Sequence, residues 1–438
     1  MKIGNLLFNV KDGEMFQGVA RLLSRRKMGR ICFCDVRFQE DQVQIIFDSS
    51  LVNYQEVTSL PLGSLIYVVG KKKVTNSGMP SLSITKADAL YVFQDLLPDK
   101  YHGLNQSVRY RKRVFDLLVN KDSFIFVKKM SKSLEVIRKV MYEEGFHEFV
   151  TGVLQETFEA GQAHAFSTKC RANDKTLHLS LTAELKLKRL LVSGFERVFE
   201  IAQSFRNEGI DAIHSPEFTM LEVYESGANY HRMMDLLEKI VSEVVKECED
   251  GEIVNYIDNN GNNMKASYKR PFIRLSFRQA FEKIVGPFDN CSLDYLLSTY
   301  PDSFTEGMTR FTWLMKVIEK FIVPNINEPT FLTELPVGMS PFVKNSDDKT
   351  TTERAFLISQ GVFLADIYSD ENGPFRLSES LNAQANETGS ELNSEYLEII
   401  KIGLPDTAGI GMGLNRLFML LLGKLPRNIK ETILYPIP

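Results

Sequence analysis

Phe205-Arg206-Asn207-Glu208-Gly209, followed at once by His214-Ser215-Pro216-Glu217-Phe218-Thr219, is the stretch on which the reading of this chain turns. One short hairpin here gathers the groups that hold a nucleotide. Arg206 is a forked cation able to grip a phosphate or a carboxylate through two parallel hydrogen bonds. Phe218 offers a flat apolar face for an adenine, and Glu208 and His214 place hydrogen-bonding groups between the two. Taken alone, these residues would also suit a charged surface hairpin. A distant segment weighs against that. Gly409-Ile410-Gly411-Met412-Gly413-Leu414-Asn415-Arg416 reads as a glycine-rich strand turning into a helix and ending in a second arginine. Glycines there let the backbone approach a ligand closely.

Working outward, residues 14 to about 95 read as short strands, Ile31 to Val36, Gln42 to Phe47, Ser64 to Val69 and Ser81 to Lys86, with turns such as Asn76-Ser77-Gly78 between them. That spacing suits a small barrel. Cys32 and Cys34 are two apart, hence on one face of a strand, and read as core thiols. Leu96 to Asn120 is a polar connector containing Pro98 and Gly103. Helical apolar spacing follows over Met130–Gly145, at Leu134, Ile137, Val140 and Met141, and a further helix is expected over Tyr230–Cys248.

With 438 residues, the chain has length for two or three domains. Its 44% hydrophobic and 25% charged content is that of an ordinary globular protein. No apolar run approaches a membrane span, and the N-terminus lacks a signal pattern. Five cysteines without a regular framework fit a reducing cytoplasm, and no Cys and His set has zinc-site spacing. The net charge of −4 is not the basic balance that advertises a nucleic-acid binder, although Arg25 to Arg30, Lys71 to Lys73 and Arg109 to Arg113 form local basic clusters.

The two opening segments resemble motifs 2 and 3 of the class II aminoacyl-tRNA synthetases, and within that class the lysyl-tRNA synthetases. The likeness extends to Val19 through Arg30, to Pro98 through Leu104, and to Asp116 through Asn120. It implies an α+β protein: an OB-fold anticodon-binding domain over 1–95, a linker over 96–124, and a catalytic domain over 125–438 built on a mainly antiparallel sheet flanked by helices. It also implies ATP, Mg²⁺, lysine and tRNA as ligands, and a homodimer formed through the helix near 130–145 and the strand after it. The family has a proline after that strand, where this chain has Gly152.

Amino-acid activation is mostly positioning and charge neutralisation, so its signature is a pair of arginines. By resemblance, Arg206 meets the α-phosphate and the amino-acid carboxylate, and Arg416 meets the γ-phosphate end. Glu208 would accept from the adenine amino group and His214 would meet the phosphates. Adenine would lie between Phe218 and Arg416. A lysine pocket needs carboxylates at two depths. Glu184 and Gly161 match the α-ammonium partners, whereas Glu222 and Tyr224, two apart on a strand, match the ε-ammonium end. Phe33 and Gln44 lie where the family stacks and reads an anticodon base.

One region departs from the pattern. Ser340-Pro341-Phe342 and Thr352-Glu353-Arg354 fix a register in which the family's two magnesium-holding glutamates fall on Phe356 and Phe363. Phenylalanine supplies no hard oxygen ligand. Were Asp370 to Pro374 a longer hairpin turn, Asp366 would take the second glutamate's place. Glu379 would then match the deep carboxylate of the lysine pocket, leaving Asp366 and Glu379 as candidate metal ligands. Asn415 stands where the family usually has Asp. Three readings stay open: a lysyl-tRNA synthetase-like enzyme, a paralogue activating lysine or a related amino acid for a protein or metabolite, and a non-catalytic regulator that binds tRNA or an amino acid.

Overall fold

The computed structural model describes residues 11–75, 78–98, 104–156, 164–249, 251–258, 260–340, 342–379, 382, 399, 401–423 and 426–437. The chain divides into two compact units, Met1–Lys128 with Tyr435–Pro438, and Lys129–Leu434.

In the first unit, strands β1 (Met15–Met28), β2 (Ile31–Phe38), β3 (Asp41–Asp48), β4 (Leu65–Val74) and β5 (Pro80–Tyr91) close into a barrel in the order β1-β2-β3-β5-β4. Strand β2 shows why the sequence does this. Cys32, Cys34, Val36 and Phe38 are buried, and the residues between them are half-exposed. A period of two puts one apolar face of this strand inward. Strand β1 is long enough to pair with both β2 and β4, and a bulge between Leu22 and Ser24 bends it from one partner to the other. Cys32 and Cys34 are core thiols, as their spacing predicts.

The second unit is organised by an eight-stranded sheet. In spatial order its strands are β9 (Ile273–Ser276), β10 (Thr330–Thr333), β11 (Arg354–Ser359), β12 (Val362–Ser369), β13 (Thr407–Gly413), β8 (Glu217–Ser226), β7 (Arg197–Phe205) and β6 (His147–Glu148). The outermost pair at each end is parallel and the remaining pairs are antiparallel. The architecture is therefore α+β, with an OB-like barrel and a mainly antiparallel sheet, as the resemblance implies.

Register across the middle of this sheet decides where chemistry can sit. Val223, Ile410 and Ile367 are directly opposite one another and wholly buried. They give helix α3 (Tyr230–Cys248) an apolar face to pack on, and the helix meets it with a stripe at Met233, Leu237, Ile240, Val241 and Val244. The bounds of α3 are those its sequence predicts. The adjacent row, Glu222, Gly411, Asp366 and Phe356, points to the other face and is chemically unlike it.

Helix α1 (Lys121–Glu143) begins earlier than its apolar spacing suggests. Beyond the short strand β6, Gly152 has φ +84°, a conformation closed to proline. This accounts for glycine at that position. Between β9 and β10 a run of short helices packs an apolar cluster around Phe281, Phe304, Leu314 and Ile318, and Phe356 of β11 belongs to that cluster. Among the described residues, no helix is long and apolar enough to cross a membrane.

Candidate functional site

The face of the sheet opposite α3 carries a cavity of about 320 Å³, lined from Thr182, Glu184 and Glu222 at one end to Arg206, His214, Phe218, Phe363 and Arg416 at the other. Strands β7 and β8 form the hairpin that holds Arg206 and Phe218, with Ser204 opposite Phe218 and Arg206 N donating to Pro216 O at 2.9 Å. The Arg206 guanidinium lies over the Phe218 ring, 5.2 Å from its centroid. Among the described residues its Nε is buried without a hydrogen-bond partner, a donor that a ligand oxygen could meet. Glu208 is exposed at the rim of the same cavity.

Arg416 comes from the start of helix α4 (Leu414–Leu420), directly after β13. Its Nη1 donates to Phe363 O at 3.3 Å and its guanidinium lies 5.8 Å from the Phe363 ring centroid. Its Nη2 donates to His214 Nε2 at 3.2 Å, while His214 Nδ1 faces Asp211 Oδ2 at 2.9 Å. An arginine can only donate, so Nε2 is the accepting nitrogen here and Nδ1 carries the proton toward Asp211. Asn415 is a buried tie. Its Oδ1 accepts from Thr219 N at 2.7 Å and its Nδ2 donates to Thr432 O and Oγ1, both at 3.1 Å. An amide does both; a carboxylate could only accept.

At the other end, Glu222 is buried. It accepts from Thr182 Oγ1 at 2.7 Å and from Tyr224 OH at 3.0 Å. Burial, and then the neighbouring Glu184 carboxylate, push its pKa up to about 7. Glu184 opens helix α2 (Glu184–Val192) and accepts from Tyr368 OH at 2.9 Å and from Lys188 Nζ at 2.6 Å. Lys188 is wholly buried, donates also to Asp370, and lies 5.2 Å from the Tyr224 ring centroid and 5.5 Å from that of Tyr368. The close approach of these rings depends on Gly409. A Cβ there would stand 2.4 Å from Tyr224 Cε1.

Sequence reasoning named Glu184, Glu222 and Tyr224 but not Lys188, Tyr368 or Asp370. The hairpin between β11 and β12 explains the omission. Its turn is Gln360–Gly361, with φ of 52° and 69°, and β12 runs unbroken to Ser369. Asp370 to Pro374 is therefore not the hairpin turn that the sequence reading entertained. Alternation from Asp366 carries Tyr368 and then Asp370 to the site face. Glu379 sits exposed on a helical stretch, outside the residues lining the cavity. Gly161 lies outside the described residues.

Whether the site fits a protein-held Mg²⁺ is decided by its donors. Phe356 is wholly buried and packs against Phe363 with ring centroids 4.9 Å apart. A bulge pairs Ile358 with Phe363, which resets the alternation and puts Phe363 on the same face as Asp366. Asp366 is clasped by Arg354, Nε to Oδ1 at 2.8 Å and Nη2 to Oδ2 at 2.5 Å. Among the described residues, no group of three or more His, Cys, Asp or Glu could hold a metal ion. Magnesium wants hard oxygen ligands in octahedral array, and these residues do not fit it.

On the barrel, Phe33 is half-exposed on the outer face and absent from the barrel core. It lines a recess of about 390 Å³ together with Gln44, Asp35 and Arg26, whose guanidinium lies 5.7 Å from the Phe33 ring centroid. Gln44 accepts from Ser81 Oγ at 3.0 Å. An aromatic face beside amide, carboxylate and cation is a surface on which an unpaired base can stack.

The model for tRNA synthetases of class II (D, K and N) matches residues 105–438. The chain is 34% identical over 446 residues to a lysine–tRNA ligase of Dehalococcoides mccartyi (strain CBDB1), covering 97% of this chain and 87% of the relative. It is 32% identical over 458 residues to a lysine–tRNA ligase of Prochlorococcus marinus (strain MIT 9215), covering 98% and 88% respectively. A cavity with two arginines at one end and carboxylates at the other, and this likeness over nearly the whole length, converge: the chain belongs to the class II aminoacyl-tRNA synthetases, in the group that contains the D, K and N enzymes.

Proposed function

We propose that the chain activates lysine as lysyl-adenylate and passes it to tRNA. The observation that carries this reading is Glu222, a buried carboxylate at the acidic end of a cavity whose far end holds Arg206. A substrate with an ammonium at one end of a four-carbon stem and a carboxylate at the other spans such a site. In the reaction, the lysine carboxylate oxygen forms a bond to the α-phosphorus of ATP, and the bond from that phosphorus to the bridging oxygen breaks. Pyrophosphate leaves with the electron pair. Arg206 orients the carboxylate and neutralises charge on the α-phosphate. Phe218 holds the adenine, Glu208 its amino group, and Arg416, oriented by His214, the outer phosphates. A terminal tRNA hydroxyl then attacks the carbonyl and AMP departs. Phe33 and Gln44 contact the anticodon.

The reading extends to a cytoplasmic homodimer. Tyr142 on α1, Val150 beyond β6 and nearby Phe195 are exposed apolar side chains, a surface that suits a second copy. Sedimentation at micromolar concentration tests this, with a monomer as the contrary result. The Phe356–Phe363 pair favours a second reading, in which the site binds its ligands without turnover or serves a non-tRNA acceptor. ATP–pyrophosphate exchange with each amino acid, followed by transfer of labelled lysine to total tRNA, separates the readings. Lysine-dependent exchange and tRNA charging support the first. Exchange without charging supports another acceptor, and absence of both supports a binding protein.

A further inference from the structure

The phosphate end of the cavity is walled by phenyl rings and cations. Phe363 lines it, Phe356 backs Phe363, and Arg416 is anchored on the Phe363 carbonyl. Both oxygens of Asp366 are taken by Arg354, which is itself buried. Recruiting Asp366 to a cation would strip a buried guanidinium of its partner. Among the described residues, Arg206 meanwhile keeps a buried Nε–H without an acceptor. We propose that this site seats the phosphates of an adenine nucleotide without a protein-held metal, its oxygens being met directly by Arg206 and Arg416, with His214 holding Arg416 in place.

The physical case rests on charge. Where carboxylates stand beside phosphates, a cation must lie between them or the like charges repel. Rings at 356 and 363 remove that repulsion, so the bridging cation is not required. An apolar wall also excludes water and strengthens the arginine–phosphate attraction. Arg416, fixed by Phe363 O on one side and His214 Nε2 on the other, loses little freedom when it meets an anion.

The proposal rests on the nucleotide reading above, and the test keeps their failures apart. Calorimetric titration of the full chain would use three probes, ATP, AMP and a non-hydrolysable sulfamoyl analogue of lysyl-adenylate, each in excess magnesium and in EDTA. The expected result is that ATP affinity differs by less than about threefold between the two conditions. Phe363→Glu, at a position that already lines the cavity, should weaken ATP in EDTA and gain about tenfold or more on adding magnesium. Phe356→Glu with Phe363→Glu should extend that gain, and the single variant suffices if the double does not fold. Magnesium tightening ATP more than about tenfold in the native chain would overturn the proposal while leaving the nucleotide reading intact. Failure of all three probes to bind in either condition would remove both.

Discussion

The two ends of the cavity solve opposite electrostatic problems. At the acidic end, Glu222 and Asp370 are buried, Glu184 is half-buried, and each is held by partners: Glu222 by Thr182 and Tyr224, Glu184 by Tyr368 and Lys188, Asp370 by Lys188. At the phosphate end, cations converge on aromatic rings, and the nearest strand carboxylate, Asp366, is already spent on Arg354. On the proposed reading, the acidic cluster around the buried Glu222 suits an ammonium, whereas guanidinium groups on a hydrophobic wall suit an oxyanion.

The sharpest way to break this contrast is to remove its cations. Arg206→Ala and Arg416→Ala should each lower adenylate formation by at least about a hundredfold with circular dichroism unchanged, on the scale of a lost transition-state donor. Retained pyrophosphate exchange in either would show that the phosphate end is misplaced. The acidic end should fail differently, through stability. Asp370→Asn takes a carboxylate from the wholly buried Lys188 and should cost about 3 kcal/mol in urea unfolding. An unchanged midpoint would mean that the ion pair adds nothing.

Next in size is a pH effect. Folding raises the Glu222 pKa from 4.5 to about 7, so the fold favours its protonated form. As pH rises from 4.5 through 7 the native protein should lose stability relative to Glu222→Gln, by up to about 3 kcal/mol above that window. Parallel stability curves for the two proteins would contradict the raised pKa. Lysine, arriving as a cation, should bind more weakly as pH falls through the same range. The smallest effect is on selectivity. Glu222→Gln should narrow the preference for lysine over norleucine roughly ten- to hundredfold, the worth of one charged hydrogen bond. Equal behaviour of the two amino acids in the native chain would reject the lysine assignment.

Much of this contrast was legible in the sequence, unevenly and for physical reasons. The phosphate end lies on two contiguous segments, 205–219 and 409–416: spacing groups Arg206, His214 and Phe218 on one hairpin, and the family resemblance joins Arg416 to them across 202 residues. Helix α3 follows from its apolar period. The acidic end was only half visible. Glu184 and Lys188 form an i,i+4 pair that a helix makes plain. Lys188 meets Asp370, however, across 182 residues, and no local pattern announces that. The candidacy of Glu379 hung on where the β11–β12 hairpin turns, which a Gln-Gly dipeptide in left-handed conformation decides. The bulge that aims Phe363 at the cavity is likewise invisible to a strict period of two.

On the proposed reading, one cavity joins a lysine ammonium at Glu222 to an adenine nucleotide at Arg206 and Arg416. Pyrophosphate exchange by the native chain, measured with lysine and with norleucine, is the decisive test. The expected result is exchange that depends on lysine, with norleucine at least about tenfold poorer. Exchange indifferent to the amino acid, or supported by an amino acid without a side-chain ammonium, would contradict it.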